Sequence, residues 1–144
     1  MSNLEKKYDF YIAAPFFNDE QNARVDLVEK LLEERGLTYF SPRRDSAVAD
    51  INVEAQRKRV FKLNCDSILK SRGVIAITDG KDVGTIFEAG YAFANGIPIT
   101  YVAFTLGDAP FNLMLSESGN ACKTKEELEL AIDGNIIYYQ GEIE

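Results

Sequence analysis

Residues 74–104 read VIAITDGKDVGTIFEAGYAFANGIPITYVAF and predict a strand, a helix and a second strand in succession. The apolar run at residues 74–77 is typical of a buried strand, and residues 98–104 form a similar run. Between them we expect a helix that begins near Thr85, after a tight turn at Gly84, and ends at the Asn95-Gly96 pair. Such a unit places two parallel strands side by side beneath one helix.

Outside this unit the chain continues to alternate between strand and helix patterns. We expect further strands at residues 8–14, 38–41 and 136–139, further helices at residues 18–36, at 53–71 and from 124 onward, and a polar loop at 42–50. This alternation favours an α/β fold with a single doubly wound, mostly parallel five-stranded sheet and helices on both faces, flavodoxin-like or Rossmann-like. With 144 residues and 46% hydrophobic content, residues 1–144 are expected to form a single domain.

The composition excludes several classes of catalyst. The chain has no histidine, so Ser-His-Asp and Cys-His mechanisms are impossible. Cys65 and Cys122 lack the spacing of metal ligands and are expected to be reduced, buried side chains, so we expect no metal site. A G-x-G-x-x-G fingerprint and a Walker-type phosphate loop are absent from the sequence, which disfavours a dinucleotide or nucleoside triphosphate and leaves no expected cofactor.

The charge balance disfavours nucleic acid polymers and membranes as partners. Sixteen basic and 23 acidic residues give a formal net charge of −7, whereas nucleic acids are bound through Lys and Arg. Basic clusters at Arg43-Arg44 and at residues 57–59 are expected to be solvated surface or subunit contacts. No apolar run approaches the ~18 residues that span a bilayer, and the first seven residues lack a signal-peptide core, so we expect a cytoplasmic protein.

Two carboxylates flank the predicted start of the central helix. Asp82 is expected in the loop before Gly84, and Glu88 follows six positions later in the first helical turn. The helix dipole and the free N–H groups at this end favour an ionised carboxylate. An ionised carboxylate can be a nucleophile at a sugar carbon, while a second carboxyl helps the leaving group depart. The pair therefore fits chemistry at a glycosidic carbon.

The same residues also fit a purely structural role. Thr85 and Glu88 have the spacing of a capping box, in which the threonine caps the helix and the glutamate bonds back to its N–H. Small residues follow in the helix and favour its close approach to the sheet; they are Ala89, Gly90, Ala92 and Ala94. Spacing alone leaves both interpretations open.

Three separated stretches resemble the nucleoside 2-deoxyribosyltransferase family. They are FYIAAPFF at residues 10–17, DVGTIFEAGYA at residues 82–92 and PFNLM at residues 110–114. All three follow the family's order and spacing. The resemblance implies an enzyme of nucleoside salvage that exchanges the base of 2′-deoxynucleosides for a free nucleobase, in two steps with retention, without a cofactor or metal.

The resemblance also implies roles for individual residues. Glu88 would attack C1′ and form a covalent 2-deoxyribosyl intermediate, and Asp82 would protonate or hydrogen-bond the departing base. Tyr11 would hydrogen-bond Glu88 and orient it. The remaining substrate contacts implied within the same chain are Ala13, Phe16 and Gly84.

The resemblance also implies substrate contacts from a second subunit, and one contact that could come from either of two residues. Asn112 and Met114 would reach into the active site of a neighbouring copy, Asn112 toward the sugar 5′-hydroxyl. This implies a homo-oligomer, hexameric or built from dimers. Where many family members place Asp before the central strand, this chain has Asn64, with Asp66 two residues later. The residue that contacts the base is therefore open between these two.

Two other functions remain open at this level. One is hydrolysis of the N-glycosidic bond of 2′-deoxynucleoside 5′-monophosphates, although the chain has Asn-Leu-Met at residues 112–114 where a phosphate grip would be expected. The other is a non-catalytic nucleoside-binding module, in which Thr85 and Glu88 would only cap a helix. Loss of the Glu88 carboxylate would then change stability alone.

Overall fold

The computed structural model describes residues 5–144, so the first four residues of the predicted domain lie outside the described part. Its strands are β1 (Tyr8–Ala13), β2 (Tyr39–Phe40), β3 (Ser71–Ile77), β4 (Ile99–Val102) and β5 (Gly119–Cys122). Its helices are α1 (Asp19–Glu34), α2 (Pro42–Asp45), α3 (Glu54–Leu69), α4 (Val83–Ala94), α5 (Leu113–Ser116) and α6 (Lys125–Ile132). None of the helices in residues 5–144 is long and apolar enough to cross a membrane.

The strands form one five-stranded parallel sheet in the order β2-β1-β3-β4-β5. The chain leaves β1 toward one edge of the sheet and leaves β3 toward the other, so the winding reverses between these two strands. In this open architecture ligands bind in the crevice beyond the carboxyl ends of the strands at the reversal. The register there pairs Tyr11 with Val74 and Ala13 with Ala76.

Helices cover both faces of the sheet, as the alternating pattern predicted. Successive side chains of a strand point to opposite faces, and in β1 the buried Tyr11 and Ala13 join one core while Ile12 joins the other. The first core lies beneath α3 and α4, and the second lies beneath α1 and α6. The expectation of a doubly wound α/β fold is confirmed, with a sheet that is parallel throughout.

The fifth strand is not the one that the sequence predicted. Residues 136–139 do not form a strand; Ile137 contacts β5 by accepting one backbone bond from Ala121, at 3.0 Å. The edge strand is Gly119–Cys122 instead, although it lacks an apolar run. Glycine is required at its start, because a Cβ on Gly119 would lie 2.3 Å from the carbonyl oxygen of Ile99 in β4.

The predicted loop at 42–50 begins with the short helix α2. Its first residue is Pro42, which suits the first turn of a helix, and the Asp45 carboxylate accepts a bond from the Ser41 N–H at 2.9 Å. Arg43 is not a solvated charge either, since its guanidinium pairs with two acidic side chains of α1, Asp26 and Glu29. The basic cluster therefore stabilises the contact between α1 and α2.

Helix α4 does not use Gly90 for close packing. The buried small residues that face the sheet are Ala89 and Ala92, as expected. Gly90 is exposed, and a Cβ added there would meet no atom within 4 Å. The predicted close approach is therefore wrong for Gly90, which lies on the outer side of the helix.

Candidate active site

Helix α4 begins one turn earlier than the sequence predicted, and Asp82 is its cap. The Asp82 Oδ2 atom accepts hydrogen bonds from the Thr85 backbone N–H at 2.9 Å and from the Thr85 hydroxyl at 3.0 Å. Thr85 is therefore inside the first turn and does not cap the helix. Gly84 is also helical, and a Cβ there would lie 3.3 Å from Asp82 Oδ2. The predicted tight turn at Gly84 and the predicted capping box of Thr85 with Glu88 are both wrong.

Glu88 lies in the second turn of α4 and bonds to the sheet. Its Oε2 atom accepts a hydrogen bond from the hydroxyl of Tyr11 in β1. The Tyr11 ring is fully buried and stacks on Phe40 of β2, with ring centroids 5.5 Å apart and planes within 7°. This packing fixes the phenol at the reversal point of the sheet, so the carboxylate is held by a tertiary contact and not by the end of its own helix.

The electrostatics of Glu88 differ from the expectation of an ionised carboxylate favoured by the helix end. Burial raises the pKa of Glu88 from its ordinary value to about 7, the hydrogen bond from Tyr11 lowers it, and the nearby charge of Asp82 raises it. The carboxylate is beyond the free N–H groups of the first turn, so these do not offset its desolvation. Glu88 is thus divided between its protonated and ionised forms near neutral pH.

Tyr11 remains a hydrogen-bond donor across the neutral range. Burial and then the charge of Glu88 raise the pKa of the Tyr11 phenol well above its ordinary value. A neutral phenol donates its single proton to the carboxylate and stabilises the ionised form of Glu88.

Cys65 of α3 is close to this pair, at a position where the sequence predicted only a reduced, buried side chain. Burial first, and then the charges of Glu88 and Asp66, raise the pKa of the Cys65 thiol. An aromatic pair between α3 and α4 could have indicated this position. Phe61 lies one turn before Cys65 on α3 and packs on Phe87 of α4, with ring centroids 5.9 Å apart. A neutral thiol contributes a polarisable, weakly polar wall beside the carboxylate.

The two alternatives for a base contact have different surroundings. The Asp66 carboxylate accepts a bond from Lys62 Nζ at 2.6 Å, one turn away on the exposed side of α3. The Asn64 Oδ1 atom is buried and has no hydrogen-bond partner within residues 5–144. A buried amide oxygen without a partner costs free energy, so Asn64 keeps an unused acceptor, whereas the Asp66 carboxylate is already paired.

The end of β1 supplies small and aromatic side chains. Ala13 is fully buried two residues beyond Tyr11, on the same face of the sheet. Phe16 and Phe17 follow in the loop, with rings stacked at 5.9 Å, and both are exposed. Exposed aromatic rings beyond the carboxyl end of a strand offer a flat apolar surface to a ligand such as a nucleobase.

Asn112 and Met114 lie at a separate cleft of about 640 Å³ beyond the ends of β3 and β4. Asn112 caps α5, where its Oδ1 accepts from Met114 N–H at 2.9 Å, and the Met114 side chain is 72% exposed. Neither Glu88 nor Tyr11 lines this cleft. Asn112 and Met114 therefore line a cleft to which Glu88 and Tyr11 do not contribute, although Ile86 of α4 does.

No metal centre is evident in the part of the chain that the structure describes, where no three Cys, Asp or Glu side chains are grouped to hold an ion. The chemistry that this crevice offers is that of carboxyls. A buried carboxylate oriented by a phenol can attack an electrophilic carbon, and a second carboxyl near a helix N-terminus can hold a proton or a hydrogen bond at a leaving group.

Comparisons with known proteins identify a similar family and similar structures. The sequence profile of the nucleoside 2-deoxyribosyltransferase family matches residues 10–129. Among solved structures, the chain is similar to a 2-deoxyribosyltransferase from the psychrotolerant bacterium Bacillus psychrosaccharolyticus, described as a biocatalyst for nucleoside synthesis. The two are 27% identical with a TM-score of 0.77, and the match covers 91% of this chain and 98% of the other.

A second similar structure, a conserved protein from Enterococcus faecalis V583, shares the fold at 21% identity, with a TM-score of 0.73 over 90% of this chain and 98% of that one. No match was found among curated proteins. The family profile spans every strand of the sheet from residue 10 onward and includes Tyr11, Asp82 and Glu88. The chain belongs to the nucleoside 2-deoxyribosyltransferase family.

Proposed function

We propose that this protein exchanges the base of 2′-deoxynucleosides through a covalent intermediate on Glu88. The observation that carries the proposal is the position of Glu88, which caps no helix and whose carboxylate is instead held by Tyr11 at the reversal point of the sheet. Keeping a carboxylate partly desolvated there costs free energy. A reaction that uses the carboxylate accounts for this cost, whereas a purely structural role leaves it unexplained.

In the first step an ionised Glu88 oxygen attacks C1′ from the face opposite the base. The C1′–N bond breaks, its electron pair stays on the base nitrogen, and Asp82 donates a proton or hydrogen bond to the departing base. The product is a 2-deoxyribosyl ester of Glu88. A second nucleobase then attacks C1′ through a ring nitrogen and passes its N–H proton to Asp82, the ester oxygen leaves as the carboxylate, and the original configuration is restored.

Substrate contacts would come from the surrounding loops. We assign Ala13 and Phe16 to the wall of the nucleoside site and Asn64 to the base, with Asp66 as the alternative that its pairing with Lys62 disfavours. Gly84 leaves room beside the Asp82 carboxylate. The location in the cytoplasm and a role in salvage stay predictions from the sequence.

We further propose a homo-oligomer in which Asn112 and Met114 complete the site of a neighbouring copy. Met114 is largely exposed, and the cleft that it lines in its own chain does not include Glu88 or Tyr11. The outer sides of α3 and α4 are apolar as well, where Phe61 and Phe87 are 58% and 53% exposed and pack on each other. An apolar surface of this kind favours burial against a second copy.

The decisive experiment is incubation with deoxyinosine and free adenine, followed by chromatography. Formation of deoxyadenosine together with hypoxanthine is the expected result. Release of hypoxanthine alone would indicate a hydrolase, and no reaction of this or of deoxynucleoside 5′-monophosphates would favour the binding module. A 2-fluoro-arabino nucleoside, whose fluorine slows turnover of the ester, should label the peptide that contains Glu88 in mass spectrometry. A label on Asp82 would contradict the assignment.

A further inference from the structure

The loop between β3 and α4 has an unusual backbone. Gly80 has φ 85° and Lys81 has φ 54°, so two consecutive residues adopt the left-handed conformation. A lysine in this region costs roughly 1 kcal/mol, because its Cβ crowds the following carbonyl. This reversal brings Asp82 to the first turn of α4. The strained shape persists only if contacts elsewhere hold the loop in place.

Beside the bond from the Lys81 N–H to the Thr78 carbonyl within the loop, the loop is held by β4 and the segment after it. The Thr78 N–H and hydroxyl both donate to the Val102 carbonyl at 2.8 Å. The Asp79 Oδ1 atom accepts two bonds from Thr105, one from the backbone N–H at 2.7 Å and one from the hydroxyl at 2.8 Å. Asp79 thus joins the loop that carries Asp82 to the segment that leads to Asn112.

Aspartate is a residue type that costs free energy at this buried contact between two loops. Asp79 is 4% exposed, and its Oδ2 atom is buried without a hydrogen-bond partner within residues 5–144. Asparagine could accept the same two bonds from Thr105 without a buried charge. A charged acceptor makes shorter and stronger bonds, however, so aspartate gives the firmer connection between the two loops.

We propose that Asp79 is a positioning residue, which locks the loop bearing Asp82 to the loop leading to Asn112 through Thr105. The inference rests on the proposed function, because it assigns Asp79 an effect on the same reaction. Asp79 does not touch the substrate. It fixes where the Asp82 carboxyl stands relative to α4, and the same lock orients the segment that carries Asn112.

The kinetic test uses Thr105→Val, Thr105→Ser, Asp79→Asn and Asp79→Ala. Thr105→Val removes one of the two bonds at little change in shape, and kcat for base exchange should fall about tenfold with KM nearly unchanged, because Asp82 acts in bond breaking. Thr105→Ser keeps the hydroxyl and should restore kcat. Asp79→Asn should lower kcat less than Asp79→Ala does, and Asp79→Ala should have the largest effect of the four variants. The Asp79→Ala, Thr105→Val double variant should lose no more than Asp79→Ala alone.

The control is Thr100→Val, the same change at a buried threonine in β4, the strand that precedes the Thr105 loop. The Thr100 hydroxyl accepts a bond from Asn120 at 3.3 Å and lies away from the loops. This variant should keep kcat, whatever stability it loses. A kcat for Thr105→Val equal to that of Thr100→Val would overturn the proposal, even if Asp79→Ala fails to fold.

Hydrogen–deuterium exchange separates this inference from the proposed function. The amides of residues 80–86 should exchange faster in Thr105→Val than in the wild type or in Thr100→Val. If wild-type protein exchanges no bases, the proposed function fails, while faster amide exchange would still support the lock. Unchanged amide exchange in residues 80–86 would overturn the lock whatever the enzyme activity.

Discussion

Two helices of this protein carry the same Thr-x-x-Glu pattern, and the two glutamates have different partners. At α6 the Thr124 hydroxyl accepts from the Glu127 N–H at 3.1 Å, and Glu127 accepts from the Lys123 N–H at 2.8 Å, so this glutamate bonds back to the backbone one residue before the cap. At α4 the corresponding Thr85 donates to Asp82, and Glu88 bonds to Tyr11 of the sheet. Glu127 therefore bonds to the backbone at the start of its helix, whereas Glu88 bonds to the sheet and not to a helix end.

The difference comes from a single residue ahead of the pattern. Asp82, three positions before Thr85, takes over the cap of α4 and moves the helix start back by one turn. Glu88 is then too far along the helix to reach a free N–H, and its side chain points to a partner in another element. A capping pattern preceded by a second capping residue therefore frees its glutamate, which spacing alone does not reveal.

The largest expected difference between the two glutamates is in activity. Glu88→Gln should lower base exchange by more than about a thousandfold, because an amide cannot form the glycosyl ester, while Tyr11 can still donate to it. Glu127→Gln, the matched change at α6, should leave exchange unchanged. Rates are measured with deoxyinosine and adenine on variants that remain folded. A Glu88→Gln rate within about tenfold of the wild type would remove Glu88 as nucleophile.

A smaller effect concerns stability as a function of pH. Because burial raises the pKa of Glu88 from 4.5 to about 7, the folded state holds this proton more tightly than the unfolded state. Below pH 4.5 the wild type should match Glu88→Gln, and between pH 4.5 and 7 the wild type should progressively lose up to about 3 kcal/mol relative to the variant. Urea unfolding at pH 4.5, 6 and 8 measures the gap. A constant gap would contradict a raised pKa.

The smallest predicted effect belongs to Tyr11. Since its hydrogen bond lowers the pKa of Glu88, Tyr11→Phe should move the acidic limb of the kcat/KM profile from near pH 7 to higher pH. The plateau rate should fall only about tenfold, because the nucleophile itself is retained. A profile over pH 5 to 9 tests this. A limb that stays in place would show that Tyr11 does not bond the ionised carboxylate in solution.

The sequence was sufficient for the fold class. Alternating apolar runs and helix caps predicted a doubly wound parallel sheet, which is confirmed, and loops after β1, β3 and β4 meet at its carboxyl edge as parallel strands require. These features depend on residue types along one stretch of chain. They can therefore be predicted from each stretch of the sequence by itself.

What the sequence missed depends on contacts between distant segments. The strand at Gly119–Cys122 has no apolar run that would reveal it. Its pairing with β4 depends instead on the space that Gly119, which lacks a Cβ, leaves beside Ile99. The proximity of Cys65 to Glu88 and the raised pKa of Glu88 follow from burial between α3, α4 and β1. No pattern within one element contains that information.

The absence of histidine gives Glu88 a further use as a reporter. In most proteins imidazoles dominate proton uptake and release around neutrality, but this chain contains none. With a pKa of about 7, Glu88 is expected to take up and release its proton within this range. A weakly buffered solution with an indicator dye would then register protons that leave the active site when a nucleoside binds. The acid–base state of one carboxyl becomes measurable without labels or mutations.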